Sequence, residues 1–142
     1  MRPPDGLWAS VQEWMGFAAR DLQAAEILLA TPGQESNACF LAQQAAEKAL
    51  KAYLVALGEG SVPRTHDLWT LAGLVHGRGG VAPPDACLAG LDQFAVTPRY
   101  PGAEAATHDT AEAAVGSARA VVEHVLAQLP AQDEEQAGDG AD

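Results

Sequence analysis

Apolar positions along this chain recur at helical spacing nearly throughout, and nowhere at the two-residue alternation of a half-buried strand. Val11, Met15, Ala18, Leu22, Ala25 and Leu29 follow at intervals of four and three, with Trp14 and Leu28 widening the stripe. They predict a first helix from about Leu7 to Ala30, stopped by Thr31-Pro32-Gly33. A second runs from Ser36 to Leu57, with Gly58 and Gly60 as terminators. The third is short, from Thr65 or His66 to about Val75, with Leu68, Leu71, Ala72 and Val75 inward. Thr65 is its expected cap, and Asp67 suits the positive end of the helix dipole. After a loop rich in glycine and proline, a fourth helix is expected from about Pro84 to Val96, broken by Thr97-Pro98-Arg99-Tyr100-Pro101-Gly102. The last begins near Asp109 or Thr110, where Asp109 and Glu112 are spaced as a capping box, and Pro130 ends it.

Amphipathic helices joined by short breaks predict an all-α fold, an up-and-down antiparallel helical bundle of four to five helices over residues 7–130. Residues 131–142 hold five acids, no base and no aromatic, the composition of a disordered acidic tail.

The second helix is the most informative. Gln44, Glu47, Lys48 and Lys51 fall within roughly 100° of one another on its surface, on an arc that also carries Phe40 and Val55. Ala42, Ala46, Ala49, Leu50, Tyr53 and Leu57 make the opposite side small and apolar. A polar island framed by apolar residues points to a cleft or an interface. The plainer alternative is a solvated face held by a Glu47–Lys51 pair.

Composition narrows the function. The net charge is −11, of which the tail carries five, leaving −6 for the body. That field opposes non-specific attraction to a nucleic-acid backbone, so any nucleotide contact needs a local cationic site. Cys39 and Cys87 lie apart in helical patterns, indicating neither a disulfide framework nor a zinc site. No metal and no cofactor is expected. The glycines at 77, 79 and 80 lack the Lys-Ser/Thr pair of a phosphate loop. With no apolar run long enough for a membrane span and no apolar leader segment, the chain reads as soluble and cytoplasmic.

Four blocks carry a family resemblance. They are Arg20-Asp21-Leu22 with Ala24-Ala25, the run Ala42-Gln43-Gln44-Ala45-Ala46-Glu47-Lys48-Ala49-Leu50-Lys51, Thr65-His66-Asp67-Leu68, and Arg99-Tyr100-Pro101. In this order the chain resembles HEPN-domain proteins over about residues 10 to 128. The resemblance implies a helical bundle that forms a homodimer, often paired with a minimal nucleotidyltransferase in a toxin–antitoxin-type system. It implies either nucleotide binding or RNA cleavage. The ribonuclease branch places an arginine and a histidine closer than Arg99 and His108, which eight residues separate.

The candidate nucleotide-binding residues are Gln44, Lys48, Lys51, His66, Arg99 and Tyr100. Two lysines one turn apart can hold a phosphate, Gln44 can read a base edge or ribose hydroxyl, and Arg99 offers a phosphate fork. Tyr100 can stack on a base or fill the bundle end. His66 is either a core histidine or a base oriented by a carboxylate, and Asp21 is expected to pair with Lys48, Lys51 or Arg99. The catalytic candidates, should the chain be a metal-independent ribonuclease toxin, are Arg99 and His108. Trp8, Trp14 and Trp69 read as core or dimer packing, being dispersed along the sequence. The leading expectation is nucleotide binding or an accessory role beside a nucleotidyltransferase; the alternatives are the ribonuclease and a purely structural dimerisation module.

Overall fold

Alanine decides the architecture. In the computed structural model, which describes residues 6–94 and 105–130, helix α2 (Glu35–Ala56) runs through the middle of the molecule with the others laid against it. Ala38, Ala42, Ala45, Ala46, Ala49, Ala52 and Ala56 are all buried on it, and short side chains let neighbours approach from several sides. Fifteen of its 22 residues are buried, so α2 is a core helix instead of a one-faced surface helix. Leu50, Tyr53 and Leu54 fill the larger spaces, each contributing about 1.5–3 kcal/mol of burial. The Tyr53 hydroxyl accepts a 2.8 Å bond from the Val81 N–H, so this phenol is buried without an orphaned oxygen.

Helix α1 (Trp8–Leu29) lies antiparallel to α2 across the turn at Thr31–Gln34, where Gly33 adopts φ +89. Helix α5 (His108–Gln128) packs in the groove between them through Ala111, Ala114, Val115, Ala118, Val121, Val122 and Val125. Helices α3 (Leu68–Gly77) and α4 (Asp85–Ala89) and a 3-10 turn (Asp92–Phe94) complete the bundle. The all-α bundle and the long-helix spans agree with the hydrophobic pattern, each boundary within a residue or two.

The caps differ from expectation, for local reasons. The Thr65 hydroxyl accepts from Asp67 N–H, which moves the true N-cap to Asp67; its carboxylate accepts from Trp69 N–H at 3.1 Å and from the Thr70 hydroxyl at 2.8 Å. At α5 the cap is Thr107, accepting from Thr110 N–H, so the helix starts before Asp109. The fourth helix is shorter than expected, stopping at Ala89 before Gly90. Its predicted last residues, the Thr97–Gly102 break with Arg99 and Tyr100, and the acidic tail lie outside the described residues.

Residues 58–67 set up the site. Gly58 takes φ +102, Glu59 N–H bonds the Leu54 carbonyl and Gly58 N–H the Val55 carbonyl, a Schellman closure that ends α2 and reverses the chain. The return segment brings His66 back beside Gln43 and Glu47, in the middle of α2.

Candidate functional site

Gln43, Glu47 and Lys51 stand four residues apart, so they form one line along α2. All three are buried. The Gln43 amide donates to the His66 carbonyl at 3.0 Å and lies 3.5 Å from Glu47 Oε1; its own oxygen accepts from Gln44 at 2.8 Å. Glu47 is the hub. Lys51 Nζ donates to Oε2 at 3.0 Å, and His66 Nδ1 lies 3.0 Å from Oε1. A buried carboxylate is tolerated because it is paired and hydrogen-bonded on both oxygens.

This arrangement fixes the histidine. A carboxylate only accepts, so His66 Nδ1 carries the proton and Nε2 is turned away from Glu47. The His66 side chain is 63% exposed, which corrects the expectation of a core histidine. Its orienting carboxylate is Glu47, reached across the fold, and not its sequence neighbour Asp67, which is occupied in capping α3.

The other flank belongs to α1. Lys48 donates to Asp21 at 2.5 Å, which selects one partner from the three cations expected for that acid. The Lys48 ammonium also stands 5.7 Å from the centre of the Phe17 ring, and Lys51 the same distance from Trp14. The Arg20 guanidinium lies 4.8 Å over Phe17. Both lysines of the chain are therefore gathered, with Arg20, along one seam between α1 and α2 of a strongly acidic protein. α2 supplies its polar line, the Trp14, Phe17 and Arg20 side chains of α1 stand against the lysines, and His66 meets the same line at Glu47.

Of the residues singled out in the sequence, Gln44, Lys48, Lys51 and His66 come together here. Arg99 and Tyr100 lie outside the described residues. His108 does not join them: the Ala106 N–H bonds the Ser36 hydroxyl at the start of α2, roughly 18 Å of helix axis from Lys48. The His108 ring is exposed and sits 3.7 Å from Glu112 of its own helix. Sequence reasoning passed over Gln43, the hub role of Glu47, and the aromatic–cation face of α1. The i, i+3, i+7 spacing of Trp14, Phe17 and Asp21 was the available signal.

Two further carboxyls meet behind His66. Burial, then the charge of Asp67 and a hydrogen bond to it, raise the Asp92 carboxyl above its ordinary value. Asp67 is lowered, chiefly by the Thr70 hydroxyl. The pair ties the 3-10 turn to the start of α3. Among the described residues no cluster of His, Cys, Asp and Glu is arranged to hold a metal, and no helix is long and apolar enough to cross a membrane.

Residues 11–129 match the HEPN domain family. Two solved structures share the fold. TT1696 from Thermus thermophilus is 32% identical, with a TM-score of 0.71 over 84% of this chain and 98% of that one. ST0689, an archaeal HEPN homologue, is 26% identical, with a TM-score of 0.61 over 83% and 96%. No curated protein shows significant similarity to the chain.

Proposed function

The chain belongs to the HEPN domain family, and from that premise we propose that the Lys48–Lys51 face of α2 binds the phosphates of a nucleotide, the protein serving as accessory partner to a small nucleotidyltransferase in a toxin–antitoxin-type pair. The observation that carries this reading is the placement of Lys48 and Lys51 beside a buried, hydrogen-bonded polar line of Gln43 and Glu47. Arg20, Lys48 and Lys51 balance Asp21, Glu47 and the nearby Glu13, so this face is locally neutral within an acidic chain. Lys48 is 25% exposed and reachable; Lys51 is 7% exposed and holds that line in place through Glu47. Such pre-organisation lowers the ordering cost of binding an anion. The exposed His66 Nε2 edge adds a polar contact at the rim. The acting form proposed is a homodimer.

Calorimetric titration with nucleoside triphosphates tests it. Saturable binding is expected, falling at least fivefold in Lys48→Ala and further in Lys48→Ala/Lys51→Ala, with circular dichroism confirming the fold. Absence of binding by the intact chain, or affinity unchanged in folded Lys48→Ala, contradicts it. Co-purification with a nucleotidyltransferase encoded beside it tests the partnership separately.

A further inference from the structure

We propose that the slot between Trp14 and Phe17 takes the base of that nucleotide and favours bases bearing an exocyclic amine. The inference rests on the phosphate reading above and adds what the ligand must carry besides phosphate. Ser10, Glu13, Trp14 and Phe17, one face of α1, line an open slot of about 210 Å³. That is about seven waters' share of volume, below the roughly 300–1,000 Å³ of pockets that swallow a whole ligand. It suits one flat ring system belonging to a larger molecule.

The lining is that of a stacking site. Phe17 is 43% exposed, a large ring left in solvent next to a second aromatic. Bases stack on aromatic rings and on guanidinium planes, and Arg20 lies over Phe17 at 4.8 Å. The slot adjoins the lysines through its two rings, because Lys51 stands over Trp14 and Lys48 over Phe17. Charge sets the direction of the ligand. Glu13 lies at the slot and repels phosphate, while the lysines attract it, so the base enters beside Glu13 and the phosphates run over α2.

Glu13 also sets the preference. Its carboxylate accepts hydrogen bonds, which guanine, adenine and cytosine can supply from an amine, guanine with a ring N–H beside it. Uracil presents carbonyl oxygens on either side of its one N–H, and these face the carboxylate unfavourably.

Calorimetry with ATP, UTP and inorganic tripolyphosphate separates this inference from the reading beneath it. Phe17 and Glu13 are exposed, so Phe17→Ala and Glu13→Gln are expected to fold, which thermal melting checks. The intact chain is expected to bind ATP more tightly than UTP or tripolyphosphate. Phe17→Ala should weaken ATP about 5- to 150-fold, the range of one base–aromatic stack, and weaken tripolyphosphate far less, since only the packing of Lys48 and Arg20 on the ring is lost there. Glu13→Gln should shrink the ATP preference over UTP. If ATP and tripolyphosphate both bind but ATP affinity ignores Phe17→Ala, the slot is not a base site and the phosphate reading survives. If Phe17→Ala alters oligomeric state and not ATP affinity, the ring is an interface residue, and the inference is overturned. If neither ligand binds the intact chain, both readings fail together.

Discussion

Replacing Glu47 by leucine should be among the most damaging single changes available in this protein. The side chain is only 4% exposed, and it is the counter-ion of Lys51, itself 7% exposed. Glu47→Leu leaves a buried ammonium without a partner and removes the acceptor for His66 Nδ1. Breaking one side of a buried pair typically costs about 3–5 kcal/mol, against a total stability of roughly 5–15 kcal/mol for a domain. For a chain of this size the loss corresponds to a fall of roughly 10–20 °C in Tm. Removing both charges has a different outcome: Glu47→Leu/Lys51→Met should recover most of the loss, because a packed apolar pair replaces a desolvated ionic one. Urea unfolding followed by tryptophan fluorescence gives both numbers, and the double-mutant cycle isolates the coupling. A single-variant loss below about 1 kcal/mol would refute the buried pairing. So would a double variant no more stable than Glu47→Leu.

Other consequences are more local. The raised Asp92 carboxyl holds its proton better in the folded chain than in the unfolded one, so its contribution is greatest in acid and falls as pH rises through the raised folded value. Asp92→Asn, permanently neutral, should therefore raise Tm at pH 7 and lose that advantage as pH falls through the ordinary carboxylate range; equal Tm gains at both ends would count against a carboxyl raised by burial and by Asp67. Thr107→Ala removes the α5 cap and should cost about 1 kcal/mol in urea unfolding. Gly80→Ala places a Cβ 2.8 Å from side-chain carbons of Leu57 and Val75 and 3.1 Å from Tyr53, which should destabilise by about 1–3 kcal/mol.

The long helices were legible because their apolar residues keep a helical period over many turns, and Pro or Gly stops each of them. The caps were less so. Thr65 and Asp109 both look like caps in one dimension, yet the Thr65 hydroxyl turns to Asp67 N–H, and Thr107 competes successfully for α5. In the site, Lys48, Lys51 and Gln44 stood out because polar residues interrupt an alanine-rich helix. Gln43 did not, since a glutamine beside another glutamine gives no sign of which one turns inward. Its burial follows from the return of residues 58–67, which supplies the His66 carbonyl it bonds. The Glu47–His66 contact spans 19 residues and depends on the same return. Trp14 read as dispersed from the other tryptophans, but its neighbour on α1 is Phe17, and the cations that complete the face come mostly from α2.

A nucleotide bound to this chain should touch the Lys48–Lys51 face of α2 and the Trp14–Phe17 face of α1. Titrating the ¹⁵N-labelled protein with ATP and mapping the amide shifts tests that directly. The expected result is a saturable set of changes confined to residues 10–21 of α1, 43–51 of α2 and the segment around His66. Shifts centred on His108 and the start of α5, or no shifts at millimolar ATP, would contradict it.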